Sequence, residues 1–572
     1  MDREAFDHYL SDRSRVGDPL DGASTGADGA SAEADGASAG DGGAFTGAAG
    51  GDACGDFSRI SLEIAGGRVA RVRTAAEGCG ATRAATAAAA ELAEGASVTE
   101  AAAIGSEAIN RELGGLTVGK LHAADLASDA LHRALSAAAS TSDIPLAPPA
   151  TDLAQSIDPL SVTDFVQSID PQHSADHAQV ARPSAGEPER VLVALSGGVD
   201  SAVAALAERE RGREVVAVTL KLWADPETDG TKACCSPEAV VGARRLSHQL
   251  GIPHLTFDLE HEFRRTVVAR FLEGYAAGET PNPCVLCNGE VRIAAMVNLA
   301  DRLGAAKLVT GHYARIVDDG GGPLLAAAAD PAKDQGYMLA GLPTELLRRL
   351  EFPLADLTKP EVREIAARHG LAVARKPESQ DLCFLAGQGK RGFLRRHGGL
   401  GDREGEVRLR DGTRVGRHRG HHHYTVGQRR GLGIASTEPL YVLAIDAGEN
   451  TVTVGPRDAL ERETVALRDV TLHRDADQVD AVRLRFRSTA VGARVLGAPG
   501  PGSHPRLDLA LAEPFAGVAP GQTAVLLSGE RLIGHGTIDS AAAESAAPAP
   551  AAPAAPAAAA HAGRSAPIMN GP

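Results

Sequence analysis

Aromatic residues make up only 3% of this 572-residue chain, with one Trp, six Tyr and twelve Phe. Alanine and glycine are correspondingly abundant. GC-rich coding explains that bias as well as any structural demand, so it excludes little. Long apolar runs are missing. No stretch of about 18 apolar residues occurs, which argues against a membrane-spanning helix. The opening MDREAFDHYL lacks the basic-then-apolar pattern of a secretory leader. A soluble, cytoplasmic protein with no membrane partner is the expectation. Cysteine is sparse too, with seven at positions 54, 79, 234, 235, 284, 287 and 383. An odd count without a leader argues against a secreted disulfide framework and favours metal binding or thiol chemistry. The length exceeds what one compact core supports, so several domains are expected.

A basic excess is also absent. The formal net charge of −16 taken whole speaks against a nucleic-acid partner. Its location changes that reading. Residues 1–188 carry 28 acidic and 12 basic side chains, and the remainder carries 46 of each. Within that neutral remainder, Arg391–Arg430 holds 11 Arg against 4 Asp and Glu, with five His besides. Phosphate contacts need such local clusters rather than a basic total.

Residues 1–48, rich in Gly, Ala, Ser and Asp, read as disordered. Residues 49–136 read as a small α+β domain. SRISLEIAGGRVARVRT gives two strands around a Gly-Gly turn, and ATRAATAAAAELAEG and ASDALHRALSAAA give helices. Residues 137–188 read as a polar, Pro-containing linker with QSIDP twice, leaving the parts on either side independent. Residues 189–390 alternate strand, turn and helix. VLVAL, VVAVTLKLW and AAKLVTG are the strands, and SAVAALAERE and PEAVVGARRLSHQLG are helices. That is the alternation of a doubly wound parallel α/β sheet. The basic segment follows at 391–430. Residues 431–540 carry short runs such as PLYVLAIDA, TVTVG, VRLRFRS and TAVLLSG, expected to close into a β-barrel. The Ala/Pro tail, 541–572, reads as disordered.

Ser196-Gly197-Gly198-Val199-Asp200-Ser201 follows the strand VLVAL and opens a helix. Glycines let backbone approach phosphate, hydroxyls donate hydrogen bonds, and a helix N-terminus favours an anion. A bare Ser-Gly-Gly is often only a turn, but the strand–loop–helix setting favours a nucleotide loop. It lacks the Gly-Lys-Ser/Thr ending of a Walker loop. It resembles instead the pyrophosphatase loop of enzymes that adenylate a substrate and release pyrophosphate. Argininosuccinate, asparagine and GMP synthetases resemble it too, so the loop implies ATP without naming a substrate.

TPNPCVLCN sets Cys284 and Cys287 two residues apart, and Cys383 follows in KPESQDLCF. Alone, C-x-x-C fits a structural zinc pair, buried apolar cysteines or a redox pair. No second C-x-x-C completes a zinc ribbon. These segments stand in order with ALSGGVDS, KACCSPEAV, GIPH, TGHYARI, KDQGYML, FPLADLTKPEVREIA, HHHYTVGQRRGLGI and VAPGQTAVLL. Over about residues 190–540 the series resembles the bacterial tRNA-specific 2-thiouridylases.

The resemblance implies ATP with Mg²⁺ and adenylation of the C2 oxygen of a wobble uridine, in tRNAs for Lys, Glu and Gln. It implies a persulfide on Cys383 and a partner thiol on Cys287, a disulfide forming between them as thiouridine leaves. A cysteine desulfurase or sulfur relay protein would supply the sulfur. The physical logic is that an amide-like oxygen leaves poorly until AMP is attached, whereas a thiolate is a strong nucleophile near neutral pH. Carried over residue by residue, the match puts Ala194, Leu195, Ser196, Gly197, Gly198, Val199, Asp200, Ser201, Leu220 and Gly311 at ATP. It puts Asn282, Pro283, Cys284, His312, Lys333, Asp334, Gln335, Arg485, Phe486 and Gln522 at tRNA.

Two positions depart from the family. Many members carry Asp where this chain has Cys284, and Met where it has Leu220. With Cys284, Cys287 and Cys383, three thiolates could instead hold a cubane iron–sulfur cluster with one open iron. Cys234-Cys235 has no evident role beyond packing. The His421–His423 run looks like a metal tract, but its place in the family motif favours RNA contact or a solvated turn.

Upstream, Ala53-Cys54-Gly55-Asp56, Gly78-Cys79-Gly80-Ala81 and Lys120-Leu121-His122 resemble the U-type iron–sulfur cluster scaffolds. That family surrounds its site with three cysteines and an Asp. The third cysteine should follow the His, where this chain has Ala123. The resemblance implies Cys54, Asp56, Cys79 and His122 as metal ligands, or else a degenerate domain kept for packing. Two rival functions remain. One is a pyrophosphatase-loop ligase of a small molecule, disfavoured by the basic segment and paired cysteines. The other is an iron–sulfur scaffold that only binds RNA, disfavoured by the intact SGGVDS loop.

Overall fold

The computed structural model describes residues 3–20, 24–25, 42–50, 55–141, 144–147, 188–223, 225, 237–377, 382–385 and 389–539. Cys54, Cys234, Cys235, most of the 137–188 stretch and the Ala/Pro tail lie outside the described residues. Among the described residues no helix is long and apolar enough to cross a membrane.

The N-terminal domain has a sheet whose strands β1 (Gly42–Gly50), β2 (Phe57–Ala65) and β3 (Arg68–Glu77) are antiparallel, with the two-residue strand Ser24–Thr25 parallel to β1 at its edge. Against it pack α2 (Gly80–Ala93) and α3 (Leu121–Ser140), and α1 (Arg3–Ser11) packs on α2. Alternation puts Ile60, Leu62 and Ile64 in the core, and the helices meet it through alanines such as Ala84, Ala88, Ala127 and Ala130. The expected disorder before residue 49 is corrected for residues 3–20 and 42–48, the rest of that stretch lying largely outside the described residues. α1 packs on α2, and β1 pairs with β2 along its whole length, from Gly42↔Ala65 to Gly50↔Phe57. The reason is close packing. A Cβ at Gly47 would strike the α3 backbone at Ala130 and Ala134, so this strand must be small where the helix crosses it. Its Gly/Ala composition therefore reads as linker in the sequence.

The central domain is a five-stranded parallel sheet. Its strands are β4 (Arg190–Ala194), β5 (Glu214–Lys221), β6 (His254–Asp258), β7 (Lys307–Thr310) and β8 (Leu350–Glu351), in the order β8-β7-β4-β5-β6. α4 (Val199–Glu210), α5 (Pro237–Gln249) and α6 (Lys359–Arg368) are among its helices. β4 has β5 on one side and β7 on the other, so the strand order reverses there. The crevice beyond the carboxyl end of such a strand is the ligand position of open α/β sheets.

β6 is an edge strand, and α3 of the N-terminal domain covers it. Arg302 donates to the carbonyls of Ala139, Ala138 and Ile144 at 2.6, 3.0 and 3.1 Å, satisfying acceptors at and just past the end of α3. Asp129 pairs with Arg244, and the Asp258 N–H donates to Ser140 Oγ at 2.8 Å. Buried residues of both domains belong to one apolar cluster. The expected independence of the two modules is thus corrected: an uncovered edge strand is a liability, and α3 removes it.

The C-terminal boundaries differ as well. Gly405–Leu409 and Arg414–His418, inside the expected basic segment, form one sheet with Tyr441–Asp446 and Thr451–Gly455, inside the expected barrel. The strands hid because their outer faces are charged. Glu406 bridges Arg408 and Arg414, while Val407 points into the core. The barrel itself begins at Glu461, whose strand pairs with both Gly502–Ala516 and Arg531–Ile538. A hairpin of the central domain, Arg315–Asp318 and Pro323–Ala326, extends the barrel sheet through Leu325↔Leu532.

Candidate active site

The loop after β4 is held in shape by hydrogen bonds of its own residues. The Leu195 N–H donates to Val218 O at 2.8 Å, and Thr219 Oγ1 donates to Leu195 O at 2.6 Å, carrying the strand pairing past Ala194 and beside Leu220. Gly197 has φ +68°, a left-handed conformation that favours glycine. Gly198 is the N-cap of α4, which Val199, Asp200 and Ser201 open. Ser201 Oγ accepts from the Ser196 N–H at 3.1 Å and donates to Gly198 O at 3.2 Å. Gly311 lies across the crevice at the end of β7. A Cβ there would sit 2.7 Å from Ser201 N, so only glycine lets this backbone abut the helix start. The ten residues predicted for ATP are therefore gathered at the switch point.

Sequence reasoning missed the partners of Asp200. Its carboxylate accepts from Lys359 Nζ at 2.7 and 2.8 Å and from the Tyr313 hydroxyl at 2.8 Å. Lys359 is buried at the first position of α6, and its N–H donates to Asp330 Oδ2 at 3.0 Å. Lys376 Nζ donates to Gly197 O at 2.9 Å. The available signal was that Tyr313, Lys359 and Lys376 all stand within motifs that carry the resemblance.

The cysteines lie on a short helix built by its cap. Asn282 Oδ1 accepts from the N–H groups of Cys284 and Val285 at 3.2 and 3.4 Å, and Pro283 takes the first turn. Cys284 and Cys287 are thus one turn apart, Cys287 buried and Cys284 half-buried. The helix widens into a π turn over Cys287–Arg292, a distortion frequent at functional sites. Cys383 is half-buried, and its neighbour Phe384 is seated among Phe393, Phe271 and Phe263, with centroids 4.9, 5.1 and 5.7 Å away. Among the described residues, Asp56, Cys79 and His122 are the one group of His, Cys, Asp and Glu donors close enough together for a metal ion. Cys284, Cys287 and Cys383 are not gathered in that way in this conformation.

On the RNA side, His312 Nδ1 contacts Thr310 Oγ1 at 2.8 Å. Desolvation, with Arg292 adding repulsion, pushes its pKa down to about 3, so its imidazole is neutral at physiological pH. Gln335 exchanges two hydrogen bonds with the Tyr313 backbone at 2.8 and 3.0 Å. Asp334 accepts from the N–H groups of Ala328 and Gly336 at 3.3 Å and from Arg483 of the barrel at 2.9 Å. Gln522 Nε2 donates to Thr280 O at 2.5 Å. Phe486 lies 6.0 Å from the Tyr337 ring, and Arg485 stacks over Phe515 at 5.6 Å. Lys333 sits half-buried on the turn before Asp334. Asp334 and Gln522 thus tie the barrel to the central domain. His421 and His422 are buried rather than solvated, with His421 bridging Ala276 O and Asn450 at 3.1 Å each.

The N-terminal constellation is compact. Asp56 Oδ1 accepts the Cys79 N–H at 2.8 Å, and Asp56 Oδ2 lies 2.9 Å from His122 Nε2 and 3.5 Å from Cys79 Sγ. The Cys79 N–H, then His122, hold the Asp56 pKa down to about 2. Burial raises the Cys79 thiol, but Thr82 and the N–H groups opening α2 leave it below its ordinary range. One donor atom from each of the three residues lies within 4.8 Å of the others, a spacing that fits a single divalent ion. Ala123 is buried where a third cysteine was looked for, so the described set offers one sulfur. His122 also lines a cleft of about 270 Å³ between α3 and α5, with Asp125, Asp129, Arg244, Arg245 and His248.

Fold and site together define a pyrophosphatase-loop ATP-binding protein whose N-terminal domain carries a compact cluster of Asp56, Cys79 and His122. Family models match domain by domain: NifU-like N terminal domain over 32–142, tRNA methyl transferase HUP domain over 189–387, tRNA methyl transferase PRC-barrel domain over 391–456, and aminomethyltransferase beta-barrel domain over 462–538. The bifunctional protein NifU/MnmA of Rubrobacter xylanophilus is 43% identical over 495 residues, covering 86% of this chain and 93% of that one. The tRNA-specific 2-thiouridylases MnmA of Geobacter metallireducens and Roseiflexus sp. are 41% and 42% identical, covering 62% and 61% of this chain and 98% and 99% of theirs. The chain belongs to the bifunctional NifU/MnmA family.

Proposed function

We infer that this protein is a cytoplasmic, ATP-dependent tRNA-uridine 2-sulfurtransferase acting on the wobble uridine of tRNAs for Lys, Glu and Gln. The observation that carries the reading is the hydrogen-bonded loop Ser196–Ser201 at the switch point, abutted by Gly311, with capped Cys284–Cys287, His312, Lys333, Asp334 and Gln335 on the same domain. The uridine C2 oxygen attacks the α-phosphorus of ATP and pyrophosphate leaves. Loop N–H groups and the α4 N-terminus stabilise the anion. Asp200 supplies a hard carboxylate oxygen suited to Mg²⁺, which neutralises phosphate charge when bound.

The persulfide of Cys383 then attacks C2 and AMP leaves, giving a C2–S–S–Cys383 linkage. The Cys287 thiolate attacks the Cys383 sulfur, the S–S bond breaks, and 2-thiouridine departs as the Cys287–Cys383 disulfide forms. Two electrons from a cellular thiol restore the pair. Burial of Cys287 keeps competing thiols from it until the RNA is seated. A cysteine desulfurase or relay protein delivers the sulfane sulfur. At the N-terminal site, Asp56, Cys79 and His122 would hold a divalent ion, which lowers the pKa of bound thiols and water. The test is pyrophosphate release from ATP by the purified chain. It should require tRNA with an unmodified wobble uridine. Release that is indifferent to tRNA would refute the reading.

A further inference from the structure

His254, the first residue of β6, makes contacts toward both the N-terminal domain and the nucleotide loop. Its N–H donates to Ala102 O of the N-terminal domain at 3.0 Å. His248 Nε2 of α5 lies 3.2 Å from the same carbonyl, and His132 Nε2 of α3 lies 3.2 Å from Ile104 O, so the turn at residues 102–105 is fixed between the two domains. The His254 imidazole reaches Thr219 of β5, with Nε2 2.8 Å from Thr219 Oγ1. The Thr219 hydroxyl has one proton, and it goes to Leu195 O at 2.6 Å. His254 Nε2 is therefore the donor, and Nδ1 is buried without a hydrogen-bond partner. Desolvation, with Arg244 and His248 adding repulsion, keeps the ring neutral and hence in that tautomer.

Leu195 O belongs to the peptide that opens the nucleotide loop. The N–H of that same peptide, on Ser196, donates to Ser201 Oγ at 3.1 Å. The peptide is thus pinned at both ends, and its carbonyl end is pinned through Thr219 and His254 to the N-terminal domain. Water in contact with such a chain competes for its donors and acceptors. His254 is fully buried, and its surroundings include His132 of α3, with ring centroids 6.5 Å apart. We propose that His254 is a positioning residue for the nucleotide loop, and that the N-terminal domain holds it in that role by docking on β6. The scaffold-like module is then part of the frame of the ATP site. This deepens the proposed function and rests on its ATP site.

The test is a double-mutant cycle on the full-length protein, read as the Kd for ATP by calorimetric titration. His254→Leu removes the donor to Thr219. Gly105→Val acts from the other side: a Cβ there would lie 2.4 Å from His248 Nδ1, so the turn or the ring must move, and with it the shared contact at Ala102 O. Each is expected to weaken ATP binding about tenfold. The double variant should be no more than about twofold weaker than His254→Leu, because both act through one chain of contacts. His254→Gln, whose amide N–H donates in place of Nε2, should stay within about threefold of wild type. Circular dichroism reports folding, and if His254→Leu does not fold, Thr219→Val takes its place in the cycle with the same expectation. Binding by His254→Leu within about twofold of wild type would overturn the proposal. So would additive losses in the double variant, or a loss in His254→Gln as deep as in His254→Leu, which would leave His254 a packing role only. The proposed function is read separately, as tRNA-dependent pyrophosphate release and 2-thiouridine. A chain that makes no 2-thiouridine yet shows this pattern of ATP binding would refute that function and support the proposal.

Discussion

The two cysteine sites of this chain are built on opposite plans. In the N-terminal domain, Asp56, Cys79 and His122 come from three elements, yet one donor atom of each lies within 4.8 Å of the others. Gly78, at φ +104°, has no room for a Cβ because Asp56 occupies that space, so local packing alone assembles the set. Among the described residues of the central domain, Cys284, Cys287 and Cys383 do not form such a three-donor set. What is assembled there is the loop, through Ser201, Gly311, Lys359 and Lys376. The first site is built around a set of ion donors; the second is built around a phosphate-binding loop.

The largest expected effect tests the second half of that contrast. Cys383→Ser and Cys287→Ser should each lower 2-thiouridine formation by more than about 10³-fold while pyrophosphate release persists. Circular dichroism would show that both stay folded. Cys284→Asp separates the cluster alternative from the persulfide scheme. Thiolation within about threefold of wild type fits two working thiols; loss as deep as in Cys383→Ser would mean that three thiolates act together.

Next in size is the loop. Asp200→Ala removes the partner of Lys359 and Tyr313, and ATP turnover should fall about 10²-fold. Binding of tRNA should change less than about twofold, because RNA affinity arises from phosphate contacts elsewhere. Equal losses in binding and turnover would break the separation between loop and RNA surface.

At the N-terminal site, Asp56→Ala or Cys79→Ser should release bound divalent metal, measured by elemental analysis of the full-length protein. Thiolation with a cysteine desulfurase and L-cysteine as sulfur source should stay within about threefold, since neither side chain enters the chemistry. A large loss would mean that the two sites act as one.

The smallest effect lies between the domains. His132 of α3 and His254 of β6 are fully buried, beside Arg244 and His248, and desolvation puts both pKa values well below the ordinary range. Each is neutral when folded and titrates near 6.5 when unfolded. Their contribution to stability is full above about pH 6.5 and is lost as pH falls toward the folded values, by up to about 1.4 kcal/mol per pH unit for each. Thermal melts at pH 8, 6 and 5 should show the loss, and His254→Gln should flatten it. A melting profile unaffected by that substitution would count against the interface account.

Much of this was legible in the sequence. VLVAL before SGGVDS placed the loop, and the helix read in ATRAATAAAAELAEG is there, with Cys79 as its N-cap. What escaped notice escaped for physical reasons. β1 reads as linker because its glycines and alanines make room for α3. The strands Gly405–Leu409 and Arg414–His418 were masked by their arginines, which pair across the outer face with Glu404 and Glu406. Lys359 is far from Asp200 in sequence, and only the parallel sheet brings them together. The covering of β6 by α3 could not be read at all, since an edge strand buried by another domain has the same apolar pattern as a central one.

The central claim is that ATP hydrolysis and sulfur insertion are coupled at one site. The most direct measurement uses the purified protein, an unmodified wobble-uridine tRNA transcript, ATP, a reducing thiol and a cysteine desulfurase with L-cysteine as the sulfane-sulfur source, with nucleosides quantified by mass spectrometry and AMP counted in parallel. The account predicts 2-thiouridine at the wobble position, formed with AMP in equal amount and absent without ATP. Thiolation that proceeds without ATP, or AMP formation with no 2-thiouridine, would contradict it.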